Sequence, residues 1–264
     1  MSTRELTADL ELAHRLADAA AKISMARYQA MDLVIETKPD LTPVTDADKA
    51  TEEEIRKILA IERPDDLIIG EEFGAPESTA GKHYWVIDPI DGTKNFMRGV
   101  PTWATLIGLV SPEHKVVVGV VNSPALFRRW SARAGNGAHI SINGGPERSI
   151  RVSTIKALKD ASLSYSDLVG WGNRLPAMLH LQEQIWRTRG LGDFWSHMLV
   201  AEGVVDIAVE PALALWDMAA LDVIVREAGG RFTNLDGVDG PFGGSGVSSN
   251  GSLHHAFLKS LAKH

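Results

Sequence analysis

Apolar positions at Leu12, Leu16, Ala19, Ala20 and Ile23 recur with helical spacing and predict a first helix over residues 6–31. His14 on that helix has no partner nearby in sequence and is expected to be a solvated surface residue. Helical spacing returns through Ile55, Ile58 and Leu59, a second helix from Thr51 to Leu59. Between them Pro39 and Pro43 forbid helix. Short apolar runs then predict strands: Leu67-Ile68-Ile69, Trp85-Val86-Ile87, and a hairpin of residues 105–110 and 115–122 around Ser111-Pro112-Glu113-His114. Residues 129–132 and 139–142 read as further strands, and Asn143-Gly144-Gly145-Pro146 as a turn.

Past Ile150 the pattern alternates. Strands are expected at 162–164, 206–209, 231–233 and 247–249, and helices at 176–186, 193–202 and 251–261. One more helix is opened by Asp217, carries Ala219, Ala220, Val223, Ile224 and Ala228, and stops at Gly229-Gly230. The class is therefore α/β. A soft boundary near residues 143–150 divides the chain into halves 1–145 and 146–264, expected to act as one catalytic unit.

Composition narrows the function. At 264 residues, 44% hydrophobic and 23% charged, the chain has ordinary globular values. A net charge of −7 without a long basic run argues against nucleic acid or an anionic membrane as partner. Cysteine is absent, which excludes disulfides, thiolate metal sites and a Cys nucleophile. The polar start MSTRELTADLELAH is unlike a signal peptide, and no apolar run reaches membrane-spanning length, so a cytoplasmic location is expected.

Four carboxylates share one placement. Glu71, Asp88, Asp91 and Asp217 each sit at the end of an apolar strand or the start of a buried helix, where sites gather in layered α/β folds. Asp-Pro and Asp-Gly also mark plain turns, Glu71-Glu72 also reads as a loop with one of the pair solvated, and Asp217 also reads as a helix N-terminal acid. Asp40, Asp46 and Asp48 equally suit helix capping. Four converging anions would raise one another's pKa unless cations lie between them. Oxygen donors alone favour Mg²⁺, with Mn²⁺ as the second choice, over Zn²⁺. Two such ions roughly 3.5–4 Å apart clamp a phosphoryl group. Gly92 and Thr93 offer backbone N–H groups to its oxygens if a helix begins there. Gly135-x-Gly137 alone is too weak a signal for a phosphate loop.

The strings Glu71-Glu72, Asp88-Pro89-Ile90-Asp91-Gly92-Thr93-x-Asn95-Phe96 and Trp216-Asp217 resemble the inositol monophosphatase family of metal-dependent phosphatases. Val44-Thr45-x-x-Asp48, Gly135-x-Gly137-Ala138, Asn143-Gly144 and Glu227-Ala228-Gly229-Gly230 extend the resemblance nearly end to end. It implies a layered αβαβα sandwich, a homodimer, and hydrolysis of a small phosphate monoester by direct water attack with two or three Mg²⁺ per subunit. By the same resemblance, Glu71, Asp88 and the Ile90 carbonyl look like ligands of the first metal. Asp88, Asp91 and Asp217 look like ligands of the second, and Glu71 also of a weaker third. Thr93, hydrogen-bonded to Asp48, would help deprotonate the water. Lys38 resembles a family lysine near the phosphate, but its spacing to Asp48 differs by a residue and it is left out.

In the family the substrate alcohol is selected around residues 189–195 and by Glu210. Arg189, Asp193 and Glu210 therefore join Ile90, Asp91, Gly92, Thr93 and Asp217 as expected substrate contacts. Gly192-Asp193-Phe194-Trp195 carries an acid and two aromatics where inositol-type members carry small residues, and is similar to the histidinol-phosphate phosphatases of the family. Residues 38–48 share that similarity. Asp193 and Glu210 suit an ammonium and an imidazole, with an aromatic wall for the ring; plain core packing is the other reading for one of Phe194 and Trp195. The alternatives are an inositol or sugar monophosphatase, a nucleotide or bisphosphate phosphatase, and an inactive regulatory binding protein of the same fold.

Overall fold

A computed structural model describes residues 4–39 and 41–262; Asp40, one of the three candidate capping aspartates, lies outside them. The first half runs α1 (Leu6–Arg27), β1 (Ile35–Thr37), β2 (Pro43–Thr45), α2 (Asp46–Glu62), β3 (Leu67–Gly70), β4 (Tyr84–Asp91) and α3 (Thr93–Met97). It continues through β5 (Ala104–Val110), β6 (Val116–Ser123), β7 (Arg128–Arg133), β8 (Ala138–Ile142) and β9 (Arg148–Ile150). The second half runs β10 (Ser162–Tyr165), α4 (Leu175–Gln184), β11 (Arg187–Gly190), α5 (Asp193–Ala201) and β12 (Ile207–Glu210). It ends with α6 (Leu215–Glu227), β13 (Arg231–Thr233), β14 (Gly246–Ser249) and α7 (His254–Leu261).

Strands β3 to β9 form one seven-stranded sheet in chain order, and β11-β10-β12-β14-β13 form a second. On one face of the first sheet, Leu12, Leu16 and Ala20 of α1 and Ile55 and Leu59 of α2 bury against Trp85, Ile87, Ile107, Leu109 and Val118. The other face takes α5 and α6 through Phe194, Met198, Ala219, Ala220 and Val223. The second sheet packs on that helix layer through Ala208, Leu199 and Val200, and its outer face is covered by α4 and α7. The layers are thus αβαβα, as the resemblance implies. Two sheet glycines let α6 approach closely. A Cβ on Gly119 would lie 2.5 Å from Val223, and one on Gly108 3.0 Å from Ala219. Small residues on both sides bring the N-terminus of α6, and with it Asp217, to the end of the first sheet.

Several boundaries differ from the sequence reading. The first helix ends at Arg27 because Tyr28 leaves it to pack against Phe96 and Trp103, its hydroxyl donating to Gly99 O. The second begins at Asp46, where Thr45 is the cap and Asp48 closes a capping box; Asp46 instead pairs with Arg27 at 2.8 Å. Strands β1, β9 and β11 were not expected, since their three or four residues are mostly polar and exposed; β2 was not expected either, being three residues long and opened by Pro43, although Val44 and Thr45 are buried. His14 is not a free surface residue: it is half-buried beside Glu147, 3.5 Å away.

Candidate active site

The run from Trp85 does not end at Ile87. It continues as β4 through Asp91, with a bulge against β5: Asp88 pairs with Leu106, Asp91 with Ala104. In a regular strand residues three apart point to opposite faces. One extra residue in the bulge puts Asp88 and Asp91 on the same side. Thr105 Oγ1 holds the bulge by donating to Pro89 O at 2.9 Å. Gly92 then turns the chain at φ 82, where a Cβ would meet Thr102 O at 2.9 Å, and α3 starts at Thr93. Gly92 and Thr93 thus stand at a helix start, as expected.

Asp217 arrives from α6, and ligand atoms of Asp88, Asp91 and Asp217 lie within 4.8 Å of one another. Backbone groups steady them: Ile90 N donates to Asp88, Phe194 N to Asp91 and Ala214 N to Asp217, at 2.9, 2.8 and 2.6 Å. Burial pushes all three pKa values up, and their neighbours push further: Glu71 on Asp88, and Asp193 on Asp91. Asp217 is lifted to about 7, first by burial. No lysine, arginine or histidine pairs with these three among the described residues. Buried oxygen donors with no protein cation between them fit a hard divalent metal ion.

The neighbouring groups arrange themselves less as expected. Glu71 and Glu72 follow β3 and share Lys38 at 2.7 and 2.6 Å, so neither is a solvated loop residue. Burial lifts Glu72 to about 7. Beneath them Glu52, fully buried on α2, accepts from Glu72 N at 2.7 Å and from Arg56. Gly70 is required there: its Cβ would overlap the Glu52 carboxylate at 1.9 Å. The expected hydrogen bond between Thr93 and Asp48 is not formed. Thr93 Oγ1 donates to Ile90 O at 3.1 Å, while Asp48 Oδ2 accepts from Thr45. Asp48 Oδ1 is buried without a hydrogen-bond partner among the described residues, and burial lifts the group to about 6.

The acids line a cavity of about 540 Å³ together with Ile90, Gly92, Thr93, Lys94, Asn95, Ser166, Asp167, Asp193 and Glu210. Asp193 has φ 51, a left-handed backbone unusual for a residue other than glycine. It is held by Asn95 Nδ2, which donates to its carboxylate at 3.1 Å, and burial, then Glu210, lifts its pKa to about 7. Backbone strain of this kind clusters at ligand sites. Two expected contacts fail. Arg189 lies on the exposed β11, its guanidinium on Thr188 O, and does not line the cavity. Nor do Phe194 and Trp195: Phe194 packs edge-on against Trp130, and Trp195 joins the layer between the sheets. Helix α5 turns both aromatics into the core, so the aromatic wall is absent. Asp167, which sequence reasoning passed over, does line the cavity; its segment lacks any apolar pattern that would have flagged it.

Known proteins resemble the chain nearly end to end. A profile described as the inositol monophosphatase family matches residues 5–264. A histidinol-phosphatase of Mycobacterium tuberculosis is 52% identical over 257 residues, covering 96% of this chain and 97% of that protein. One from Streptomyces coelicolor is 52% identical over 255 residues, covering 95% of each. Among solved structures, the extragenic suppressor protein suhB of Bartonella henselae superposes with a TM-score of 0.87 at 27% identity, covering 97% of this chain and 99% of that one. With its motifs, layers and acidic centre all in place, the chain belongs to the inositol monophosphatase family.

Proposed function

We propose that this chain hydrolyses L-histidinol phosphate to L-histidinol and inorganic phosphate. The observation that carries the reading is one cavity lined by two adjoining groups of acids: Asp88, Asp91 and Asp217, and beside them Asp167, Asp193 and Glu210. The first group suits metal ions that receive a phosphate. The second suits an alcohol that is itself a cation, because a cation compensates buried carboxylates in charge as well as in hydrogen bonds, where a neutral polyol offers hydrogen bonds alone. The relatives that are histidinol-phosphatases support the same substrate.

Asp88, Asp91 and Asp217, with Glu71 and the Ile90 carbonyl, would hold two or three Mg²⁺; Mn²⁺ suits the same donors. When bound, such ions supply a Lewis acid for the phosphoryl oxygens and lower the pKa of a coordinated water. Backbone N–H groups of Gly92 and Thr93 hold phosphate oxygens. Asp48, whose Oδ1 has no partner among the described residues and whose pKa is lifted to about 6 with the Glu71 charge among the causes, would take the water's proton near neutral pH. Asp193 and Glu210 neutralise the ammonium and imidazole of the alcohol. The enzyme works as a homodimer in this reading, supported by the exposed edge strand β11 and the 69%-exposed Trp186 beside it. Light scattering tests the dimer. Phosphate release from histidinol phosphate and from inositol 1-phosphate tests the substrate, and a clear preference for inositol phosphate overturns it.

A further inference from the structure

Behind Glu210 lies a buried imidazole that the proposed chemistry does not use. His197 sits on α5 one turn after Asp193 and is fully buried, its ring 5.7 Å from that of Phe232. Its Nδ1 is 2.8 Å from Ser248 Oγ on β14. Its Nε2 lies 3.4 Å from Glu210 Oε1, and neither of these two buried atoms has a hydrogen-bond partner among the described residues. Glu210 is 4% exposed, yet it lines the cavity. A carboxylate so placed must be compensated from behind while it faces a ligand in front.

We infer that His197 is a positioning residue for substrate selection: it donates from Nε2–H to Glu210 and fixes that carboxylate toward the cationic end of the substrate. The Glu210 carboxylate sets the tautomer, and the Ser248 hydroxyl, able to donate or to accept, accommodates it. If Nδ1 carried the proton, the Nε2 lone pair would face the carboxylate and two buried acceptors would oppose each other. With the Ser248 hydroxyl donating to Nδ1, the proton sits on Nε2 and both orphaned atoms are satisfied by a small closure of the 3.4 Å gap. Helix α5 then carries both parts of the selecting device. Asp193 at its first turn enters the cavity directly, and His197 acts from beneath through Glu210. The inference rests on the reading of Glu210 as the contact for a cationic alcohol.

The test uses the full-length protein with Mg²⁺ and three variants, His197→Leu, His197→Gln and Glu210→Gln. Selectivity is read as the ratio of kcat/KM for histidinol phosphate to that for p-nitrophenyl phosphate. His197→Leu should lower the ratio about tenfold, the size of one lost charge-assisted hydrogen bond. His197→Gln, which keeps a donor near the Nε2 position, should restore most of it. Nitrogen–proton correlation spectra of histidine-labelled protein should show His197 as the Nε2–H tautomer, and Glu210→Gln should weaken that preference. A wild-type Nδ1–H tautomer overturns the inference. So does a His197→Leu protein that folds and keeps its ratio while Glu210→Gln loses it, an outcome that leaves the substrate reading standing. If the wild type prefers inositol 1-phosphate, the substrate reading falls, and the tautomer alone decides whether His197 holds Glu210. Should His197→Leu fail to fold, the Gln variant and the spectra carry the decision.

Discussion

Strand β4 joins two carboxylate clusters that the chain treats in opposite ways. At its start, Trp85 Nε1 donates to Asp66 at 2.9 Å, Asp66 pairs with Arg4 at 2.6 Å, and buried Asp9 takes both Arg4 and Arg63. That corner lines a cleft of about 630 Å³, larger than the site cavity, yet every acid named there has a guanidinium. At its end, Asp88 and Asp91 are buried as deeply and face only other acids, with backbone N–H groups for support. Burial is common to both ends; compensation is not. Cavity size therefore says little about function here, and charge left unpaired by the chain says much. The first cluster is a structural brace, the second a place prepared for cations from outside.

The comparison breaks most sharply at Asp88. Asp88→Asn removes one anion from a crowded site, so the metal-free protein should melt no lower than wild type. Mg²⁺-dependent phosphate release should fall at least about 10³-fold, some 4 kcal/mol of barrier. Undiminished turnover would refute the shared-ligand role. At the other end the signs reverse. Asp9→Ala takes from half-buried Arg63 its carboxylate partner and from Arg4 one of its two, Asp66 remaining, and should cost about 3 kcal/mol, read as a lower urea midpoint. Its kcat should stay within a few-fold of wild type. A stability-neutral Asp9→Ala would mean the brace is decorative and the contrast false.

How much of this was legible beforehand follows the same divide. The acidic centre was readable because a charge at the end of an apolar run is visible as a local misfit, at Asp88 and Asp91 above all. The layers were readable because α1, β5, β6 and α6 carry regular periods. What escaped depended on long-range packing. Nothing near Arg187-Thr188-Arg189 announces that it becomes the edge strand β11 and carries Arg189 away from the cavity. The outward or inward turn of Phe194 and Trp195 is set by how α5 docks on Trp130, which sequence spacing cannot express. The hairpin that delivers Lys38 to Glu71 and Glu72 has one exposed three-residue strand and little apolar signal.

Metal addition sharpens the contrast next. Asp217 has its pKa raised to about 7 in the metal-free fold. A carboxyl raised on folding contributes stability that is complete below its unfolded value and lost as pH rises through 7. This carboxyl should thus weaken the metal-free protein as pH rises from about 4 to 7. Mg²⁺ at about 100 times its dissociation constant should return about 2.7 kcal/mol. For a chain of this length that is a rise of about 5–10 °C in Tm, larger at pH 8 than at pH 6. Chelation should reverse it. The Asp9 corner offers no such response, and Asp88→Asn protein should lose most of it. An equal Mg²⁺ shift in wild type and Asp88→Asn would detach the stabilising ion from this site.

His254 supplies a third way of burying a titratable group, between the brace and the metal site. It has no ion pair among the described residues; it is held by Thr233 Oγ1 and Ser249 Oγ, both at 2.8 Å. Burial lowers its pKa to about 4, from 6.5. A histidine depressed on folding contributes stability that is complete above 6.5 and lost as pH falls toward 4, because the unfolded chain takes up the proton first. By pH 5 the loss is about 2 kcal/mol relative to pH 7.5. The direction is opposite to that of Asp217, so the two separate in one experiment. Chemical unfolding of wild type and His254→Gln across pH 5–7.5 should give curves that converge at the acid end, with the wild-type advantage shrinking by that amount. A constant gap would show that the imidazole is not kept neutral by its burial, and that hydrogen bonds alone do not compensate a buried group as guanidinium pairing does.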